Sequence, residues 1–449
     1  MPSDSTLAGP DVKPHVIVLG AGIAGLFAAS HLIEQGFAVT VVERGPVCGG
    51  AHQSRTIGPY TFDYGSIFYE HHARLFELAD GLREKCPAVD RRQRRIGSSG
   101  QLMHYPIEPR ELLGSSLSRT ALGVADLIRS RFTIKSDGTL DTICRQRLGS
   151  RFFEETGLAA YIGRFNRVSP TEIDEAFFFH RMSFIEKATR TGALFDAAIR
   201  SVRRTKKRPG QAPKPLRIRP IEGFAALFDP IRERLERQGV VFRFNEEVMA
   251  IDSASRPIAI TTTKGVLTAD SVVSTIPIET LHRTLFGTDT GLVSLDMTTL
   301  FVSAAQLNKA AGNVLFNFHA DGQWKRATIY SRLYPDNLTD REFLAVEVTL
   351  PSGAVHEPEL AFEDFSQHLT RLGIARDLRL EGSAFLDNCY PLYSPGSNEI
   401  LGKTLDKIAA TGIVTVGRQG RFEYLPTSTG VIRRVGEELA RAGLVPVAA

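Results

Sequence analysis

Three glycines near the start of the chain, Gly20, Gly22 and Gly25, stand in the spacing G-x-G-x-x-G, and an acid, Glu43, follows eighteen residues after the last of them. That spacing suits the holding of a dinucleotide pyrophosphate. Gly20 permits a tight turn, Gly22 lets backbone approach the phosphates, and Gly25 lets a helix pack closely on a strand. The pyrophosphate then lies over the helix N-terminus, where Ile23 and Ala24 form the first turn. Glu43 is placed to hydrogen-bond a ribose hydroxyl pair, and an acid there disfavours a 2′-phosphate, which leaves FAD or NAD.

The elements needed to position these residues are legible around them. "HVIVLGAGIAGLFAASHLIEQGFAVTVVERG" predicts a strand from Val16 to Leu19, an amphipathic helix reaching Gln35, a stop at Gly36 and a second strand from Ala38 to Val42. This is a βαβ unit. The 449-residue length predicts more than one lobe, and 43% hydrophobic with 23% charged residues is the composition of a soluble globular protein. No apolar run reaches the length of a membrane-spanning helix.

The polar first fourteen residues lack the pattern of a secretion signal. Cys48, Cys86, Cys144 and Cys389 are spread without a C-x-x-C pair, which argues against a disulfide framework or a structural zinc and fits a reducing cytoplasm. No metal site is expected. A net charge of +4 gives no reason to expect nucleic acid. Arg200 to Arg219 nevertheless holds nine Lys or Arg and no acid, and Pro209, Gly210, Pro213 and Pro215 predict an exposed connection there: a solvated loop, an anion-attracting flap or a membrane-surface contact. Asp90 to Gly97 is a shorter basic cluster.

Beyond the second strand, "ERGPVCGGAHQS" resembles the FAD-binding signature of the superfamily that contains amine oxidases, protoporphyrinogen oxidases and UDP-galactopyranose mutases. The resemblance implies FAD, with Arg44, Gly49 and Gly50 near the nucleotide and Gly65 and Ser66 near the flavin ring. "RIRPIEGFAALFDPIRERLERQGVVFRFNEEVMAID" is similar to the second FAD-binding region and places Val248 beside the adenine. "GIVTVGRQGRFEYLPTSTGVIRRVGEELARAG" is similar to the closing strand–turn–helix. There the resemblance implies a strand from Ile413 to Val416, a turn at Gly417 and Arg418, and a helix starting near Thr429. The N–H groups of that helix, at Gly430 and Val431, face the flavin.

Within the superfamily, three runs resemble the UDP-galactopyranose mutases and their relatives in polysaccharide clusters. These are "GRQGRFEY", "WKRATIYSRLYP" and "YIGRFNRVSPTEIDEAFFFHRMS". The likeness implies a sugar-nucleotide substrate gripped by Arg181, Arg326 and Arg418, with Tyr424 beside it and Tyr105 of "QLMHYPIEPREL" in the pocket wall. Arg side chains suit a diphosphate because their planar fork binds it bidentately. Tyr424, Arg326, Arg418 and Ser66 are the catalytic candidates.

Two positions depart from that pattern. Gly65-Ser66-Ile67 stands where mutases carry a histidine against the flavin, with His52, His71 and His72 near in sequence only, and Leu425 to Gly430 offers only hydroxyls on the other wall. Two functions follow. One is ring interconversion between pyranose and furanose through a flavin–sugar adduct on FAD reduced by NAD(P)H or another donor. The other is an FAD-dependent oxidase, dehydrogenase or desaturase moving hydride from a small molecule.

The expected fold is α/β: a Rossmann-like FAD-binding domain from 1–72, 221–283 and 391–449, a mostly helical insertion at 73–220, and an antiparallel substrate sheet at 284–390. Self-association is left open.

Overall fold

The computed structural model describes residues 13–107, 117–182, 186, 189, 215–337 and 339–446. Three distant stretches of chain build a five-stranded parallel sheet, in the order Val241–Arg243, Ala38–Val42, His15–Leu19, Ser271–Ser274, Val414–Thr415. Val16, Ile17, Val18 and Leu19 are fully buried, as expected of a central strand covered on both faces. Helices Ile23–Glu34, Ala225–Arg237 and Ser428–Arg441 pack together on it. An antiparallel three-stranded sheet, Val248–Asp252, Ile258–Thr262 and Gly265–Ala269, is attached.

The second layer is a seven-stranded sheet in the order Ala375–Leu392, Val293–Leu307, Glu342–Leu350, Arg326–Ile329, Val314–Asn317, Gln93–Ile96, Leu102–His104. It is antiparallel except between Val314–Asn317 and Gln93–Ile96, which run parallel. The α/β class read from the sequence is the one observed.

Several details differ from the expectations. The 73–220 stretch is not helical throughout: it supplies two strands to the large sheet and the short strands Ala88–Val89 and Leu216–Ile218 to a small one. Arg95 and Ile96 are buried in the large sheet, so this pairing consumes part of the basic cluster at 90–97. The terminal strand is only Val414–Thr415, because Gly417 opens a short helix to Gly420 instead of a simple turn. The last helix begins at Ser428, since Thr427 supplies its cap by accepting the Gly430 N–H at 3.1 Å. Most of the Arg200–Arg219 run, and residues 1–12 of the polar start, lie outside the described residues.

One buried ion pair ties the layers together. Arg219, 1% exposed, donates to Asp63 Oδ1 and Oδ2 at 2.9 Å and to the carbonyl oxygens of Pro220, Ile221 and Thr61. Tyr334 Oη donates to the Arg219 carbonyl, and Tyr330 Oη accepts the Asp63 N–H.

Candidate functional site

The glycine-rich turn has the space of a cradle. Gly20 has φ +98°, and a Cβ there would meet Thr275 Oγ1 at 2.5 Å; a Cβ on Gly25 would meet the Gly20 carbonyl oxygen at 1.8 Å. Gly22 differs: the nearest atom to its Cβ position is Gly50 Cα at 3.9 Å, so the protein itself leaves that side open. Ile23 starts the helix, with Ala24 following. Glu43 accepts from Ala21 N at 2.8 Å and from Gly45 N at 2.7 Å, locking the turn to the loop after the second strand. Gly49 N donates to the Ala21 carbonyl at 2.9 Å; Gly49 and Gly50 have φ +112° and +61°, which glycine adopts without strain. Arg44, read as reaching the nucleotide, is bidentate to Asp387 at 2.9 and 2.5 Å. Val248 opens the three-stranded sheet beyond the adjoining parallel strand.

At the other end of the cradle, Gly65 and Ser66 lie at the surface of the turn, while Ile67 is fully buried. Gly417 has φ +77°, and a Cβ there would sit 2.6 Å from Ala24 Cβ, so this glycine lets the short helix rest on the nucleotide-binding helix. The N–H groups of Gly430 and Val431, expected to face the flavin, are taken by Thr427 Oγ1 and the Thr427 carbonyl. Unsatisfied groups stand just before them: the hydroxyls of Ser428 and Thr429, the first two helix residues, and that of Ser274 at the end of its strand, are buried without a hydrogen-bond partner among the described residues. Orphaned hydroxyls at a helix N-terminus fit the polar edge of a flavin.

The expected substrate residues converge on a second cluster. Arg181 ends helix Ala176–Arg181, and its guanidinium stands over Tyr424 at 3.8 Å, Phe165 at 5.0 Å, Phe177 at 5.2 Å, Tyr390 at 5.5 Å and Tyr393 at 5.9 Å. All three of its nitrogens are buried with no acceptor among the described residues. Burial pushes it down to about 10, still charged at neutral pH. Arg418 lies over Tyr390 at 5.0 Å and Tyr424 at 5.3 Å; its Nη2 donates to the Cys389 carbonyl at 2.7 Å and its Nε has no partner among the described residues.

Arg326 opens its strand directly opposite Glu347 in the antiparallel register and donates to that carboxylate through Nε at 2.9 Å and through Nη2. Lys325 Nζ lies 2.9 Å from the other Glu347 oxygen and 4.0 Å above the Tyr390 ring. Burial would raise Glu347, but Arg326 and then Lys325 outweigh it and hold its carboxyl at about 2. Tyr105 stacks on Phe316 at 4.0 Å, within electrostatic reach of Tyr424, Arg91 and Arg326.

The structure thus brings Tyr105, Arg181, Arg326, Arg418 and Tyr424 together, and adds Lys325, Glu347, Tyr390 and Phe165, which sequence reasoning missed. Glu347 had a signal, a carboxylate inside the otherwise apolar strand "FLAVEVTL". His52 is a correction. It is near in space as well as in sequence, packed edge-on to Phe224 at 5.3 Å and close enough to feel Arg418, and burial drives it down to about 4.

The flavin containing amine oxidoreductase family model matches residues 23–328. The chain is 48% identical over 60 residues to phytoene dehydrogenase of Streptomyces griseus, a stretch covering 13% of this chain and 11% of that protein. It is 26% identical over 198 residues to protoporphyrinogen oxidase 2 of Arabidopsis thaliana, covering 41% of this chain and 39% of that one. The chain therefore spans well under half the length of the curated relatives it matches. Among solved structures, reduced UDP-galactopyranose mutase superposes with a TM-score of 0.76 at 18% identity over 97% of this chain and 96% of its own. Cyclohexylamine oxidase of Brevibacterium oxydans gives 0.60 at 15% identity over 96% and 99%. At such identities the likeness is one of fold. With more than half its length matched by the family model, the chain belongs to the flavin containing amine oxidoreductase family and is an FAD-dependent flavoenzyme.

Proposed function

We propose that the protein acts on a small molecule carrying a diphosphate, with a nucleotide-linked sugar as substrate and pyranose–furanose ring interconversion as the reaction. The observation that carries this reading is the charge imbalance of the second cluster. Arg181, Arg418, Lys325 and Arg326 meet in an aromatic setting with Glu347 as the carboxylate that pairs two of them, and the Arg181 guanidinium has no acceptor among the described residues. Buried cations are costly unless an anion satisfies them. A diphosphate supplies two charges and several acceptor oxygens, which suits Arg181 and the free Nε of Arg418. An apolar hydrocarbon would leave these donors unpaired.

In this reading Arg181 and Arg418 hold the diphosphate, Lys325 and Arg326 add field while Glu347 fixes their positions, and Tyr390 and Tyr424 offer ring faces to sugar or base. Reduced FAD, when bound, supplies a nucleophilic ring nitrogen for attack at an anomeric carbon. The interconversion is redox-neutral overall, so no acceptor is consumed.

A second reading, hydride transfer from an anionic substrate to oxidised FAD, is favoured by His52, which burial keeps neutral, and by the apolar Ile67, which offers no titrating group. Anaerobic titration of the purified protein with nucleoside diphosphate sugars, before and after dithionite reduction, separates the two. Product formed only by reduced enzyme supports the mutase reading. Bleaching of oxidised flavin by an anionic substrate, with no isomerised sugar, overturns it in favour of the second.

A further inference from the structure

Helix Leu117–Thr133 turns an apolar face to solvent. Leu122, Val124, Ile128 and Phe132 are 55, 41, 54 and 86% exposed, and Ala121 and Ala125 between them are exposed too. At roughly 100° per residue these six positions share one side of the helix. The opposite side, where Ser130 is buried, packs on helices Leu140–Leu148 and Ser150–Glu155. Scattered surface leucines need no explanation, but four large apolar side chains on one side of a helix over about three turns do.

The exposed side chains nearest this face include two cations, Arg129 and Lys135, and one acid, Asp137, which accepts from Thr139 and Thr142. The acids of the helical layer are engaged inward or with neighbours: Asp126 accepts the Arg151 N–H at 2.8 Å, Asp141 and Glu154 pair with Arg145, and Glu155 pairs with Arg151. Arg129, three residues from Phe132 and four from Ala125, is exposed, as is Lys135 just beyond the helix. A single helix with apolar residues on one arc, an arginine among them and a lysine just past its end has the form of an interfacial membrane helix, the long cation able to snorkel to headgroups. The surface is one convex helix face, and pairing it with itself across a two-fold axis would bring Arg129 residues together.

We propose that this face docks on an anionic phospholipid surface, with the helix in the membrane plane. Leu122, Ile128 and Phe132 enter the acyl boundary, and Arg129 and Lys135 lie on headgroup phosphates. The inference does not depend on the reaction catalysed.

The test is co-sedimentation of the full-length, FAD-loaded protein with phosphatidylglycerol–phosphatidylcholine vesicles and with pure phosphatidylcholine vesicles. Binding to the anionic vesicles, weakened by salt, is expected. The double variant Ile128→Ser/Phe132→Ser should lower partitioning by about tenfold or more, with flavin absorbance and melting temperature unchanged because both side chains are exposed. Arg129→Glu should lower it as well. Absence of sedimentation with anionic vesicles at low ionic strength overturns the proposal. So does a double variant that binds as well as the parent, which would move binding to another basic surface. A concentration-dependent dimer abolished by the same two substitutions assigns the face to a second copy instead.

Discussion

The Arg181 guanidinium lies 3.8 Å from the centroid of the Tyr424 ring, although the two residues belong to the helical insertion and to the last turn before the C-terminal helix. The contact is a cation–π pair worth up to about 2 kcal/mol when desolvated, which offsets only part of the cost of a buried guanidinium with no acceptor among the described residues. An incoming anion completes the site. Arg181→Ala should therefore weaken nucleoside diphosphate binding by about 2–4 kcal/mol while leaving bound flavin and its absorbance intact. Calorimetric titration reads this directly, and undiminished affinity for the diphosphate would remove Arg181 from the site.

The glycine turn offers a sharper separation of fold from cofactor. A Cβ on Gly25 collides with the Gly20 carbonyl oxygen, whereas one on Gly22 touches nothing closer than 3.9 Å in the protein. Gly25→Ala should damage both folding and FAD content. Gly22→Ala should fold with a near-native circular dichroism spectrum and yet purify with markedly less flavin, because the methyl group fills the side left open toward the phosphates. Full flavin occupancy in Gly22→Ala would count against the pyrophosphate lying there.

Glu347 pairs with both Lys325 and Arg326 and is 4% exposed. Removing the carboxylate leaves the buried Lys325 and the partly buried Arg326 without their counter-charge, so Glu347→Gln should lose about 3–5 kcal/mol of stability in urea unfolding. Inorganic diphosphate should return part of that loss, since it can take over the counter-charge. A variant as stable as the parent would mean that solvent reaches the pair.

Much of this was legible because backbone geometry leaves marks in sequence. The strand Ala38–Val42 was read to the residue, and Gly20, Gly22 and Gly25 carry their spacing openly. Glu347 was harder: its importance comes from cross-strand register with Arg326, and registers between strands twenty residues apart are set by packing that no local pattern records. The same holds for Gln93–Ile96, whose arginines look like a solvated loop until Arg95 is found buried in the sheet. The start of the last helix, expected near Thr429, was displaced for a different reason. A cap three residues before Gly430 shifts the helix start and hands the free polar groups to Ser428 and Thr429.

A buried Trp–His–His chain sets an acid limit on stability. Trp324 Nε1–H donates to His368 Nδ1 at 3.0 Å, so the His368 proton sits on Nε2, which faces His319 Nδ1 at 3.2 Å; that atom also accepts the Asp321 N–H. Protonating His368 would set two N–H groups against each other. Burial, with His319, Arg371 and Arg164 nearby, lowers it from 6.5 to about 4. A depressed histidine favours the fold while neutral, so its contribution is complete above pH 6.5 and is lost as pH falls toward 4. His52 acts in the same window. The melting temperature should therefore fall between pH 6.5 and 4, and less steeply in His368→Gln, whose amide oxygen can still accept from Trp324. Equal slopes in parent and variant would show that His368 is not the group titrating.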